Sequence, residues 1–236
     1  MSTLRWIVAL LALPLFAPAA IACPMSVPTD VILTPAGTSV YEDGGVILGV
    51  SFAWGSTPVA LVASAEGADA IERTPVAGAI TIARPPAGAT AIQLHDRSGK
   101  LVRTIAVVKA PKPIPPPVVA SVTSSLAANA PPPPPMGISG STFMLELKDA
   151  APADAYGLVI YRQTGRDIAP YDVLPVERDQ KVFTFTTGGK ACVAGARMPI
   201  VQGARLELAW LDRGGRISAS SKPVTVAAAK PAANRQ

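Results

Sequence analysis

From residue 46 onward the chain alternates. Val46, Leu48, Val50, Phe52 and Trp54 take every second position, with Ile47, Gly49, Ser51 and Ala53 between them. Successive strand side chains point to opposite faces, so the pattern predicts a strand with one heavily buried face. Phe143, Leu145 and Leu147 repeat it beside Thr142, Glu146 and Lys148. Shorter apolar or β-branched runs predict further strands at residues 59–63, 79–83, 158–162, 172–176 and 182–186, with 31–33 and 118–123 as first strands. No 3.6-residue period follows residue 22.

One turn is written twice. "LHDRSGKLV" starts at Leu94 and "WLDRGGRIS" at Trp210, which puts the aspartates at Asp96 and Asp212. Before the first turn Ile92 and Leu94 alternate with Gln93 and His95, and residues 101–108 follow as a β-branched run. Before the second, Leu206, Leu208 and Trp210 alternate with Glu207 and Ala209. Each copy predicts a hairpin, with the aspartate bonding turn amides and Gly99 or Gly215 supplying a positive φ.

Many short strands separated by turn residues predict an all-β antiparallel sandwich architecture. The second half adds a resemblance. "GLVIYRQTG", "VFTFTTGG" and "RLELAWLDRGGRISASSKPVTV" resemble the C, E, F and G strands of a fibronectin type III or related immunoglobulin-like module, over residues 141–228. In that family the F strand ends in an aspartate-glycine turn and a serine-rich G strand closes the sheet. The resemblance implies a fold and no reaction. With the repeated hairpin it gives two tandem immunoglobulin-like β-sandwich domains, 23–110 and 118–226. The Pro-rich linker spans 111–117 or extends to 137, and a disordered tail spans 227–236.

Composition adds the address. Arg5, the apolar run 6–16 and Ala20-Ile21-Ala22 read as an export signal over residues 1–22. Nothing later in the chain is long and apolar enough to span a bilayer, which needs ~20 residues. The chain is 49% hydrophobic but only 5% aromatic, with 25 prolines, which allows a packed core and disfavours long helices. The net charge of +5 is thinly spread, without the clustered bases and stacking aromatics of a nucleic-acid surface.

Candidate chemistry is sparse. His95 is the only histidine, and beside Asp96 it suggests an acid-base pair, but the alternation turns the two to opposite sides. One histidine and two cysteines do not make a four-ligand zinc site without carboxylates. Glu42-Asp43-Gly44-Gly45 reads as a turn rather than a cation loop, and "TGGK" at 187–190 lacks the rest of a phosphate loop. Tyr156, Tyr161 and Tyr171 could build a sugar-binding platform, although Tyr161 and Trp210 are equally expected in a sandwich core.

The cysteines are more informative. The second hairpin lies about eleven residues further from its preceding strand than the first does, and Cys192 sits in that insertion. Cys23 is the first residue after the expected cleavage site, the place of a lipid-modified cysteine. Lipidation would leave Cys192 as an odd thiol, so cysteine parity favours a Cys23–Cys192 disulfide. Such a bridge would require two domains packed side by side and antiparallel, because a linear tandem separates the sulfurs by roughly two sandwich lengths of ~26 Å each.

These features together lead to an exported, non-catalytic binding, adhesion or scaffold protein of the bacterial envelope or extracellular space. The alternative is a carbohydrate-binding or accessory component acting on envelope polysaccharide. Either reading expects no cofactor, no metal and no nucleic acid, a protein partner or a polysaccharide, and a periplasmic or extracellular address, or an outer-membrane lipoprotein if Cys23 is lipidated.

Overall fold

Alternation does set the architecture, although it works on more faces than expected. The computed structural model describes residues 27–53, 61–66, 70–77, 80–127, 141–187 and 200–229. Both cysteines and the expected signal segment lie outside them. Eight strands come from the first half: β1 (Val27–Ile32), β2 (Val40–Tyr41), β3 (Val46–Ala53), β4 (Val62–Ala65), β5 (Arg73–Ala77), β6 (Ile80–Ala83), β7 (Ala91–His95) and β8 (Leu101–Val108). Eight more come from the second: β9 (Val119–Ser124), β10 (Ser141–Leu147), β11 (Ala155–Thr164), β12 (Asp167–Pro175), β13 (Val182–Thr187), β14 (Arg205–Asp212), β15 (Val224–Thr225) and β16 (Ala227–Ala228).

They form four sheets, β2-β8-β7-β4 and β1-β3-β6-β5 in the first half, β12-β11-β14-β15 and β13-β10-β9-β16 in the second. The first pair sets β1, β3, β5 and β6 against β2, β4, β7 and β8 in an immunoglobulin-type division, and the second pair repeats the scheme except that its fourth strand, β12, joins the sheet of β11, whereas β5 joins the sheet of β6. The fold is all-β and immunoglobulin-like, with β11, β13 and β14 where the fibronectin type III resemblance put C, E and F.

Within each pair the sheets pack face to face. Val46 and Leu48 of β3 meet Ile92, Leu94 and Ile105 in one core. Phe143, Leu145 and Phe183 meet Leu158, Ile160, Leu206, Leu208 and Trp210 in the other. Here the alternation is corrected, because the other face of β3 is buried too. Ile47 and Ile82, with Val76 and Ala77, pack on Val159, Ala209 and Leu211, the outward positions of β11 and β14. The sheets therefore stack in four layers, the two inner ones apolar on both sides. Each large side chain in that middle seam contributes ~1.5–3 kcal/mol by leaving water, so neither inner sheet has a solvent face to fall back on.

Other departures have local causes. The strand expected at 59–63 is β4 at Val62–Ala65, where it pairs with β7, and the strand expected at 172–176 is the longer β12. The short β2 and β16 were not foreseen. Each pairs parallel to a neighbour, β8 and β9, a long-range contact that two residues of sequence do not announce. Ala227–Ala228 thus belongs to a sheet rather than to the expected tail. After the second turn the serine-rich segment closes its sheet partly through hydroxyls: Ser218 Oγ accepts from the Trp210 amide at 2.9 Å and Ser221 Oγ from the Leu208 amide at 3.1 Å.

Candidate functional site

The two copies of the turn share a backbone. In the first, the Asp96 amide donates to the Lys100 carbonyl at 3.0 Å, and Gly99 to the Asp96 carbonyl at 3.0 Å. In the second, the Asp212 amide donates to the Arg216 carbonyl at 2.9 Å, and Gly215 to the Asp212 carbonyl at 3.1 Å. Gly99 and Gly215 both have positive φ, 81° and 79°.

Their surroundings differ completely. The first turn sits in solvent. Asp96 Oδ1 accepts from the Ser98 hydroxyl at 2.6 Å and from the Ser98 and Lys100 amides at 2.9 and 3.0 Å. The Ser98 hydroxyl above all, with these amides and the Lys100 charge, holds the carboxyl below its ordinary value. His95 lies 3.2 Å by Nδ1 from the Gly99 carbonyl and 3.3 Å by Nε2 from Gln93 Oε1, so its ring braces the hairpin.

The second turn is buried at the seam between the halves. Asp212 keeps 2% of its surface and Arg216 9%. Arg216 Nε donates to Asp212 Oδ2 at 3.1 Å, and its fork donates to the Pro111 and Lys112 carbonyls of the linker at 2.9 and 3.4 Å. Asp43 lies 3.6 Å away, and the Tyr41 ring centre 5.1 Å from the guanidinium carbon. The Gly214 carbonyl accepts from the amides of Tyr41 at 3.1 Å and Gly45 at 2.9 Å. A Cβ on Gly214 would enter the Tyr41 ring, one on Gly215 the Gly45 backbone, and one on Gly44 the Gly214 carbonyl. Two Gly-Gly pairs are thus the condition for backbone to meet backbone here. Burial pushes the Asp212 carboxyl above its ordinary value despite Arg216 and the turn amides, and also raises Tyr41, helped by the Asp212 charge.

The remaining candidates are separated. Glu42-Asp43-Gly44-Gly45 is the turn into β3, as expected, but it also receives the second turn. Tyr156 and Tyr161 pack against the middle seam, where burial raises both phenols, whereas Tyr171 packs against the C-terminal core. The three rings belong to two clusters and share no platform. Thr187 ends β13; Gly188, Gly189 and Lys190, like Cys23 and Cys192, lie outside the described residues. Among the described residues no three His, Cys, Asp or Glu side chains gather as a metal would need, and no helix is long and apolar enough to cross a membrane. Among the described residues, open grooves of about 470 and 450 Å³ lie between Glu42, Pro86–Ala89 and Lys109 and between Pro116–Val119, Lys148 and Lys222. The sequence pattern marks the second turn as a hairpin only. The signal it carried was Gly214 in place of Ser98 and Arg216 in place of Lys100.

No protein-family model and no curated protein sequence matches the chain. Among solved structures it is similar to the BSP domain of a biofilm-associated protein, at 14% identity and a TM-score of 0.28, covering 83% of this chain and 30% of that one. It is also similar to the FN1–FN3 domains of chicken CNTN1, at 11% identity and a TM-score of 0.33, covering 88% of this chain and 69% of that one. The chain thus spans about a third of the length of the first.

Proposed function

We propose that the chain is an exported, non-catalytic binding, adhesion or scaffold protein whose two immunoglobulin-like domains, 23–110 and 118–226, are locked into one block that presents its outer surfaces at a fixed angle. The observation that carries this reading is Arg216. An arginine buried against a carboxylate, a tyrosine face and two linker carbonyls is spent on holding the halves together, and it takes the linker out of play as a hinge. A rigid pair suits a spacer or a composite binding surface better than a flexible tether does.

The Cys23–Cys192 bridge belongs to this proposal, and the strand directions support it. β1 starts at Val27 opposite Ala53, and β13 ends at Thr187 opposite Ser141, both at the end of the stack away from the Gly44–Gly214 contact. With layers ~10 Å and strands ~4.8 Å apart, those ends are separated by about 25 Å. Cys23 lies four residues before Val27 and Cys192 five after Thr187, a combined reach of about 30 Å. Mass spectrometry of the exported protein tests it: a loss of two hydrogens supports the bridge, and a diacylglyceryl adduct on Cys23 replaces it with a lipoprotein.

The binding role is tested by capture from envelope extract on the immobilised full chain. A protein partner retained by the wild type supports the proposal. Retention on purified polysaccharide with no protein captured moves the chain to the carbohydrate-binding alternative, and turnover abolished by His95→Ala overturns the non-catalytic reading.

A further inference from the structure

The linker and the last segment of the C-terminal half run side by side. Arg216 donates to the Lys112 carbonyl, and Ala227 pairs parallel with Thr123, so one offset of 104 positions holds at both ends. Between those anchors the linker carries Pro113, Pro115, Pro116 and Pro117, which have no N–H to pair across to the neighbouring chain. The two segments part there, and the groove of about 450 Å³ between residues 116–119 and 220–222 is that opening.

Its lining is an apolar strip between two cations. Pro116, Val118 and Val224 supply the strip, and Val118 stands 48% exposed. Lys148 and Lys222 flank Val118 on either side: the Lys148 amide donates to the Val118 carbonyl at 2.8 Å, and Lys222 comes opposite Val118 by the common offset. Chains ~4.8 Å apart place the two lysine backbones roughly 10 Å from each other. Lys181 brings a third ammonium, its Nζ 3.4 Å from the Lys148 carbonyl. Among the described residues no carboxylate lines the groove and neither Lys148 nor Lys222 stands in an ion pair; Glu146, two positions before Lys148, accepts from the Ser121 hydroxyl at 3.2 Å instead.

We infer that this groove takes an extended acidic segment of a protein partner, with an apolar side chain over Val118 and carboxylates on Lys148 and Lys222. Charge selects the sign of the ligand, because two uncompensated ammonium groups repel a basic segment and attract an acidic one. Spacing selects its form: an extended peptide at ~3.3 Å per residue sets carboxylates roughly 10 Å apart at positions i and i+3, with apolar residues between them. The linker prolines offer carbonyls without competing N–H groups, which the amides of such a segment can use. A sugar acid fits less well. The lining holds no aromatic ring and no amide side chain, and the Ser221 hydroxyl is already engaged, accepting from the Leu208 amide at 3.1 Å and donating to the Lys222 carbonyl at 3.0 Å. A ring of hydroxyls would therefore leave water for few partners. The inference rests on the binding role proposed above and names the chemistry of the partner.

Fluorescence anisotropy of a labelled peptide repeating Asp-Val-Thr-Asp, titrated with the full chain, reads the result. Exposed ion pairs in a short groove give weak binding, so a dissociation constant of about 100 μM is expected at ~50 mM salt. Lys148→Gln with Lys222→Gln is expected to weaken binding about tenfold, and raising salt to ~0.5 M to weaken it in the wild type. Arg97→Gln with Lys100→Gln removes the same charge at the exposed first hairpin and is expected to bind like the wild type. No saturation up to ~1 mM, equal loss in the two double variants, or equal binding of a repeat with lysine in place of aspartate overturns the inference. So does an oligouronate that binds through Lys148 and Lys222 where the peptide does not, which gives the groove to a sugar acid. Capture from envelope extract keeps the two proposals apart: a partner retained equally by the wild type and by Lys148→Gln with Lys222→Gln overturns the groove and leaves the binding role standing, whereas peptide binding as expected with no partner in the extract supports the groove and counts against the role.

Discussion

Replacing Arg216 by alanine should be among the most damaging single changes in the chain. The guanidinium leaves Asp212 with 2% of its surface exposed and deprives the Pro111 and Lys112 carbonyls of their donor. Removing one partner of a buried ion pair typically costs 3–5 kcal/mol, because the other charge stays out of water uncompensated. An exposed pair would cost 0–1 kcal/mol. Asp43, half exposed at 3.6 Å, behaves as such a rim charge and does not rescue the variant. Urea unfolding of Arg216→Ala should therefore lose about 3–5 kcal/mol, against ±0.5 kcal/mol for the adjacent, exposed Arg213→Ala.

The pH dependence separates an uncompensated buried charge from simple loss of packing. Burial already raises the Asp212 carboxyl, and without Arg216 one of the forces holding it down is gone. A carboxyl raised in the folded state contributes stability that is fully present below its unfolded value and lost as pH rises through its folded one. The deficit of Arg216→Ala should accordingly shrink on acidification from neutral pH, as Asp212 protonates. A deficit below 1 kcal/mol, or one that does not change with pH, would refute the claim that Arg216 compensates a buried charge.

The two turns supply an internal comparison. Gly99→Ala, with positive φ but open space around its Cβ, should cost ~1–2 kcal/mol in chemical denaturation, whereas Gly215→Ala, whose Cβ enters the Gly45 backbone, should exceed ~3 kcal/mol or fail to fold. Asp30 is a second pH probe of opposite sign. Burial works against it, but the Arg73 side chain and the Leu61 amide hold its carboxyl below the ordinary value. The advantage of wild type over Asp30→Asn should be present at neutral pH and disappear as pH falls through that lowered value, measured as melting temperature against pH. Because each inner sheet is apolar on both faces, the halves should also unfold in one calorimetric transition; two resolved transitions would mean that the middle seam contributes little.

Most strands were legible because a sandwich core imposes period two on whatever fills it, and β7 and β10 follow that rule residue by residue. The sandwich class followed from their number and spacing. What stayed hidden was the seam. "GLVIY" and "LAWL" carry apolar residues at odd and even positions alike, the mark of a strand buried on both faces, yet one-sided alternation accounts equally well for Leu158, Ile160, Leu208 and Trp210. Only the outward set, Val159, Ala209 and Leu211, distinguishes the two cases, and its partner set in β3 and β6 lies more than 75 residues away. The strands β2, β15 and β16, of two residues each, pair with β8, β14 and β9 and have no pattern of their own.

One motif thus has two fates. Asp96 and Asp212 organise their turns alike, through amides at the third and fifth positions, so turn chemistry alone cannot tell an exposed hairpin from a buried joint. The difference lies at two neighbours. Serine at 98 adds a hydroxyl that saturates Asp96 locally, whereas glycine at 214 removes the Cβ that would collide with Tyr41. Lysine at 100 is a flexible point charge suited to water. Arginine at 216 has a planar fork that reaches Asp212, two linker carbonyls and the Tyr41 face together, which an ammonium group cannot do. Exchanging both neighbours in the second turn, Gly214→Ser with Arg216→Lys, would keep a well-formed hairpin and lose the joint. The first hairpin shows how complete such a turn already is when nothing is packed against it.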